Sequence, residues 1–514
     1  MIQHVFVLML ENRSFDHMLG FSGIEGADAV SGARTAVEGL DGSQSNIVAG
    51  QKFVAQTPAP FQMGFDPGHG FMDVVEQLGG PGAAYAAGQV YPARVNSGFA
   101  ANAAANLAAS GITDVSPGEV LASFSPEQLP VINTLAREFV VCDHWFSSMP
   151  GPTWPNRLFV HAATSGGLDD SPSSFQSIET LFKGYRFANG TIYDQLDKKG
   201  LPWSIIEGDA LPQSLSLSDM IPRALDGRFI NLATFLSRLD DPHFADTFTF
   251  IEPNYGHVLA DGRNFKCGNS QHPLDDVTRG EQLLKTVYEA VRKSPHWPES
   301  LLILMYDEHG GFYDHIPPPA ATPPGDASIG GLNKHGFGFD QLGVRIPAVI
   351  ISPLTERGLI DHTVYDHSSI SATLSRLFKL DLLTNRDTAA SALDHLLSRG
   401  TPRDDAPVTL PNPAVSGIPD CEDPAAGVLA GDAETFLGKL EGPLEPTLAG
   451  FMHVAVARQL QVAAAVDRDV DKAIARVGKT LQSEFESATT KGAAVRILRK
   501  AELAYEAWRH PQKP

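Results

Sequence analysis

The sequence predicts an α/β fold with a mainly parallel central sheet flanked by helices and a helical segment toward its C-terminal end. Two observations carry that prediction. Uninterrupted apolar runs of strand length stop abruptly at polar residues, and stretches of helical periodicity lie between them. A continuous apolar run bounded by polar residues suits a strand covered on both faces, as in a parallel sheet. Strands alternating with helices build such sheets.

In chain order, the first run is His4-Val5-Phe6-Val7-Leu8-Met9-Leu10, which delivers Glu11-Asn12-Arg13-Ser14-Phe15-Asp16-His17. Phe139-Val140-Val141-Cys142 ends in Asp143-His144, Trp203-Ser204-Ile205-Ile206 ends in Glu207-Gly208, and Phe248-Thr249-Phe250-Ile251 ends in Glu252-Pro253. A helical pattern runs from Gly280 to Val291 through Leu283, Leu284, Val287 and Tyr288. The next run, Leu301-Leu302-Ile303-Leu304-Met305, delivers Tyr306-Asp307-Glu308-His309-Gly310-Gly311. Ile346-Pro347-Ala348-Val349-Ile350-Ile351 carries a proline early, which predicts an edge strand or a late-starting one. Gly-, Pro- and Ala-rich stretches at 79–118 and 317–338 read as long excursions over the sheet, the kind of loop that serves as a lid or binding loop.

This pattern divides the chain into a catalytic region over 1–400, a linker rich in Pro, Asp and Ala over 401–427, and a helical domain over 428–514. In the last part Ile474, Val477, Leu481 and Phe485 form an amphipathic stripe that needs a partner in solution. Its end is basic, with Lys491, Arg496, Arg499, Lys500, Arg509 and Lys513 against Glu502 and Glu506. That face reads as a solvated helix packed on the catalytic region, or as a surface that meets anionic lipid.

The length, 514 residues, is enough for a large core, and 43% hydrophobic with 19% charged residues marks a globular protein. A net charge of -21 argues against nucleic acid as a partner. It does not exclude an anionic substrate, because a bound cation reverses the local field. Cys142, Cys267 and Cys421 are far apart and lack a Cys-x-x-Cys pattern, so their spacing supports neither a disulfide framework nor a thiolate zinc site. No apolar run reaches the ~18 residues of a membrane span. The first apolar run lacks a basic region before it and leads straight into Glu11-Asn12, so the chain as written reads as cytoplasmic, with secretion open if a leader is missing.

Ligands in open α/β sheets bind outside the carboxyl ends of the strands. Two such ends here carry Glu-Asn and Asp-Glu, a prospective divalent-metal site built from hard oxygen donors. A third segment, Met149-Pro150-Gly151-Pro152-Thr153-Trp154-Pro155-Asn156-Arg157, fixes a turn that presents the Thr153 hydroxyl, a nucleophile once a base or a metal activates it. Asn156 and Arg157 are placed to meet phosphoryl oxygens, Arg through its planar fork of donors. His69 in Asp66-Pro67-Gly68-His69-Gly70 and His272 in Ser270-Gln271-His272-Pro273 sit in turn-forming settings, suited to ligating metal, protonating a leaving oxygen or binding phosphate. His309 directly follows the second acidic pair, and His315 and His367 are candidates to orient it.

Together, Glu11-Asn12-Arg13-Ser14-Phe15-Asp16-His17, Asp66-Pro67-Gly68-His69, Pro152-Thr153-Trp154-Pro155-Asn156-Arg157 and Tyr306-Asp307-Glu308-His309-Gly310-Gly311-Phe312-Tyr313-Asp314-His315, in this order, resemble the phosphoesterase family of bacterial phosphatidylcholine-type phospholipases C, acid phosphatases and plant non-specific phospholipases C. The resemblance covers roughly residues 1–380 and implies an alkaline-phosphatase-like core. It implies Glu11, Asn12, Thr153, Asp307 and Glu308 as metal ligands, Thr153 as the nucleophile of a phosphoenzyme, and His69 and His272 as phosphate-binding or acid/base residues. Asn156, Arg157 and His309 are then expected to contact substrate. Ser270 and Gln271 depart from the pattern, since relatives often carry two acidic residues there. The expected activity is a phospholipase C cleaving the glycerol–phosphate bond, with a phosphomonoesterase as the alternative and a non-catalytic phospholipid-binding protein as the remote one. The expected cofactor is a divalent ion: calcium, magnesium, manganese or zinc.

Overall fold

The computed structural model describes residues 1–172, 178–256, 267–326, 331–419, 444 and 446–510. Its strands, in chain order, are β1 (His4–Leu10), β2 (Glu25–Asp28), β3 (Arg34–Ala36), β4 (Ser45–Val48), β5 (Gln51–Val54), β6 (Val140–Cys142), β7 (Trp203–Glu207), β8 (Phe229–Asn231), β9 (Phe248–Ile251), β10 (Ser300–Tyr306), β11 (Ala348–Ile351) and β12 (Leu359–Asp361). All but the β4–β5 hairpin join one sheet in the order β3-β2-β12-β6-β11-β10-β1-β9-β7-β8. β8, β7, β9, β1 and β10 run parallel to one another, as do β6, β12 and β2. β11 lies antiparallel to both β10 and β6, so β6 points the same way as β10. The expected mainly parallel sheet is therefore present, with one reversed strand inside it and another, β3, at the edge.

The apolar runs explain the placement. Every residue of β1 and β10 is buried, which is why neither run alternates with polar residues. Each fully buried Leu, Ile or Phe contributes about 1.5–3 kcal/mol. The two strands pair in register from His4 opposite Ser300 to Leu10 opposite Tyr306. That register alone sets Glu11-Asn12 beside Asp307-Glu308. Of the two readings of Ile346–Ile351, the late start is the right one: β11 begins after Pro347 and occupies the interior of the sheet. Pro347 thereby stays clear of the ladder, where its missing N–H would cost a hydrogen bond.

The Gly/Ala-rich stretch 79–118 contains a helix, Phe99–Ala109, which packs with the Phe71–Gly79 helix on a second apolar cluster that includes Phe65, Phe312 and Phe337. The region expected as a linker is packed as far as it is described. Ala406 and Leu410 are buried, Arg292 of the Val277–Lys293 helix donates to the Ala406 carbonyl at 3.0 Å, and the Leu410 amide donates to Glu289 at 3.0 Å. Residues 420–443 lie outside the described residues.

The C-terminal helices Pro446–Asp467, Val470–Ser487 and Lys491–Arg509 share one apolar core with the sheet. Leu481 and Phe485 of the expected stripe are buried, with Ile474 and Val477 packed beside them. Arg458, fully buried, donates to Glu207 at 2.7 Å and to the Ala210 carbonyl at 2.7 Å. Of the cysteines, Cys142 is a buried free thiol, whereas Cys267 is disulfide-bonded, a bridge the sequence spacing gave no ground to expect. No helix among the described residues is long and apolar enough to cross a membrane.

Candidate active site

The site forms where β1 and β10 end side by side. The Asn12 amide donates to Asp307 Oδ1 at 2.9 Å and the Arg13 amide donates to the Glu308 carbonyl at 2.9 Å. Asn12 takes a left-handed conformation, φ 59°, one that Asn tolerates better than most residues. Gly310 and Gly311, both at positive φ, close the opposite wall. A Cβ on Gly310 would lie 2.1 Å from the Asn12 carbonyl oxygen, and one on Gly311 would lie 2.7 Å from that of Gly68. The Gly-Gly pair thus lets the β10 loop touch both Asn12 and the turn that carries His69.

Thr153 begins the helix Thr153–Ala162, with Pro152 as its cap. Its hydroxyl donates to Asn12 Oδ1 at 3.1 Å, and both residues are buried. Backbone N–H groups at a helix N-terminus favour negative charge, so an anion attached to Thr153 would sit in a favourable field. The turn before it is held by Asn156. Its amide donates to the Gly151 and Pro152 carbonyls, each at 3.0 Å, and to that of Met149 at 3.3 Å, while its oxygen accepts from the Met149 amide at 3.1 Å. Asn156, expected against substrate, thus ties its side chain to the turn that precedes Thr153.

Arg157 is also turned inward. Its Nε donates to Asp307 Oδ2 at 3.1 Å, its guanidinium lies 3.6 Å from Glu11, and Nη1 donates to the Tyr255 hydroxyl at 2.9 Å. Burial alone would lower its pKa, but Tyr255, Asp307 and Glu11 outweigh that and hold the guanidinium firmly charged. His309 offers no nitrogen outward either, with Nε2 against Gln77 Oε1 at 2.7 Å and Nδ1 3.1 Å from Glu308. So the side chains of Asn156, Arg157 and His309, expected as substrate contacts, each make bonds within the protein.

The acidic cluster is strongly perturbed. Burial raises Glu11 well above the carboxylate range, an effect Arg157 opposes and Asp307 and Glu308 reinforce. Burial likewise pushes Asp307 up to about 6 against the pull of Arg157. Glu11 Oε2 and Glu308 Oε1 are buried with no hydrogen-bond partner among the described residues. Buried carboxylate oxygens are costly in that condition, and a divalent cation is the partner their chemistry fits. Glu11, Asn12, Asp307 and Glu308 are the residues suited to hold it, with Arg157 supplying part of the compensating charge.

The two histidines differ in charge. His69 bonds the Pro67 carbonyl through Nδ1 at 2.8 Å. Burial opposes its protonation, but Glu308 and Asp66 together win and raise its pKa to about 9. His272 lies 3.7 Å from Asp66, and burial, His69 and Arg13 lower its pKa well below the usual value. Their surroundings thus favour the protonated form of His69 and the neutral form of His272. The Ser270 carbonyl accepts from the Glu11 amide at 2.9 Å, and Gln271 bonds the Tyr306 hydroxyl and the Val277 carbonyl. His367 reaches the Asp307 carbonyl at 2.6 Å, whereas His315 pairs with Asp16.

Sequence reading missed Tyr255, Gln77 and Gln213, whose amide donates to Glu11 Oε1 at 3.1 Å. None lies in a motif with the residue it supports, and only the fold brings them together. Arg13 was within a motif, but its task was not legible: it donates to the Gln271 and His272 carbonyls at 2.7 and 3.2 Å and fixes the His272 turn.

A buried hydroxyl at a helix N-terminus, an acidic cluster at adjoining parallel strand ends and a histidine held beside carboxylates fit a hydrolase of phosphate esters as the class. The chain belongs to the phosphoesterase family, whose sequence model matches residues 2–381. Similar proteins include non-specific phospholipase C3 of Arabidopsis thaliana, 37% identical over 80% of this chain and 76% of that one. Phospholipase C A of Mycobacterium tuberculosis is 26% identical over 85% of each chain. Among solved structures, an alkaline phosphatase superfamily protein from Vibrio parahaemolyticus overlaps 52% of this chain and 66% of its own at 15% identity and a TM-score of 0.30.

Proposed function

We propose that this protein is a phospholipase C acting through a covalent intermediate on Thr153. The observation that carries the reading is the Thr153 hydroxyl, at a helix N-terminus and 3.1 Å from Asn12, facing a buried carboxylate cluster with two oxygens left without partners. The relatives named as phospholipases C, matched over most of their length, supply the substrate class.

In this reading Thr153 Oγ gives up its proton to solvent and forms a bond to phosphorus, and the bond from phosphorus to the glycerol oxygen breaks. Diacylglycerol leaves with a proton from His69, whose Nδ1 is occupied by Pro67 and whose Nε2–H is the donor. Asn12 orients the hydroxyl and Asn156 holds its turn. Water then attacks phosphorus, Thr153 Oγ departs and regains a proton from solvent, the phosphorylated headgroup is released, and His69 is reprotonated through solvent. His272, neutral, is the acceptor for the water proton. A divalent ion held by Glu11, Asn12, Asp307 and Glu308 would neutralise phosphoryl charge and lower the pKa of the attacking hydroxyl.

The test is product analysis with phosphatidylcholine vesicles and a soluble chromogenic phosphomonoester in parallel. Release of phosphocholine and diacylglycerol, abolished by exhaustive chelation and restored by one divalent ion, is the expected result. Turnover of the monoester alone would reassign the chain to phosphomonoester hydrolysis, and undiminished turnover in fully metal-free protein would remove the ion.

A further inference from the structure

A second group of metal-binding side chains lies at the same edge of the sheet, separated from the catalytic strands by β11. β6 ends at Cys142 and β12 at Asp361, directly opposite each other in parallel register. The residues that follow are Asp143, His144 and His362. Asp143 is fully buried, and its Oδ1 accepts from His144 Nδ1 at 2.9 Å and from His362 Nδ1 at 2.8 Å. The imidazoles are 17% and 29% exposed. Glu38, half-exposed, brings a carboxylate oxygen to 3.6 Å from His144 Nε2.

We infer that Asp143, His144 and His362 form a second divalent-cation site, of the zinc class, that staples the ends of β6 and β12 together. Three features separate it from an ordinary hydrogen-bonded triad. Two imidazoles converge through the same ring nitrogen on one carboxylate oxygen, and the donor atoms of all three residues lie within 4.8 Å of one another. A tetrahedral ion with ligands at about 2.0–2.1 Å holds its donors roughly 3.3 Å apart, so opening the group by roughly 0.5 Å admits one. Partly exposed rings leave the remaining positions to Glu38 or water. Finally, two imidazoles and one carboxylate select a borderline ion over calcium or magnesium.

The surroundings agree. Asp143 Oδ2 accepts from the Glu38 amide at 2.8 Å, which fixes the carboxylate, and Thr35 lies 3.0 Å from His362 Nε2. The nearest fixed cation, Arg345, donates to the Asp143 and Glu38 carbonyls at 2.8 and 3.1 Å, but its charge is matched by Asp16 and Asp314 at 2.9 and 2.8 Å. The other acid-rich group, Asp16, Asp314 and His315, has Arg345 in its midst and is a satisfied ion-pair network. Because Asp143 leads into the segment that ends at Thr153, occupancy would stiffen the approach to the nucleophile without contacting substrate.

The experiment is cobalt and zinc titration of the chelated full-length protein, alongside His144→Gln/His362→Gln and Glu308→Gln. The expected result is one equivalent lost in the double variant, together with tetrahedral Co²⁺ absorption bands, and retention of both in Glu308→Gln. Zinc should also raise the melting temperature of the parent but not of the double variant. Should the double variant fail to fold, His362→Asn alone serves, and Co²⁺-induced shifts of the His144 and His362 ring resonances are read in the parent. Equal stoichiometry and spectra in parent and variant, or no shift of those resonances, would overturn the site.

Discussion

Thr153, His69 and Asn12 make contributions that can be separated one side chain at a time. Thr153→Ala should lower turnover on the order of 10³–10⁶-fold with fold and metal content kept, because nucleophile and metal charge act as a unit. Thr153→Ser, which preserves an oxygen donor to Asn12, should retain measurable activity. Steady-state rates with circular dichroism and metal analysis check both. His69, held up at about 9 in the metal-free protein by Glu308 and Asp66 against burial, is the proton donor of this reading, so activity of the metal-loaded enzyme should fall as pH rises through a His69 pKa below that value. The stability it contributes has the same sign, complete below its unfolded pKa of ~6.5 and lost through about 9. Since much of that shift comes from the charge of Glu308, binding a divalent ion there should lower the His69 pKa. A proton NMR titration of chelated and metal-loaded protein checks this, and an unchanged value would detach the ion from Glu308.

At the scale of elements, the site depends on strand register and on two glycines. Gly310→Ala should reduce activity at least tenfold, because its Cβ would lie 2.1 Å from the Asn12 carbonyl and the β10 loop must retreat. The effect should appear in kcat and metal affinity more than in melting temperature, as measured by kinetics and thermal unfolding. The paired strands were legible in the sequence because β1 and β10 are buried on both faces and so carry no polar residue before their acidic ends. The reversal of β11 was not, since four apolar residues after a proline do not encode direction. Nor were the inward roles of Arg157 and His309. Their partners, Tyr255 and Gln77, are 98 and 232 residues away, and residue type alone suited them equally to meeting phosphate.

For the whole molecule, the C-terminal helices act as part of the catalytic body. Phe451 packs on Trp154, the neighbour of Thr153, and on Tyr255, which holds Arg157. Gly450 lies close against the Trp154 ring, and Arg458 is bound to Glu207 in the interior. Truncation near Gly427 should therefore lower the melting temperature and reduce activity on soluble diesters and on vesicles together. Breaking the buried Arg458–Glu207 pair alone is worth about 3–5 kcal/mol. The amphipathic stripe made the packing legible in the sequence. What it packs against was not, because His453, which Phe485 meets edge-on, belongs to another helix. If only vesicle activity fell, with the melting temperature unchanged, the helices would be a lipid-binding surface instead.

The central claim is that Thr153 becomes covalently attached to phosphorus, and acid quenching during turnover tests it most directly. With phosphatidylcholine as substrate, peptide mass spectrometry of the quenched enzyme should find the phosphorylated headgroup on Thr153 and lose that adduct in Thr153→Ala. A burst of product without any adduct at Thr153, or an adduct on another residue, would contradict the account.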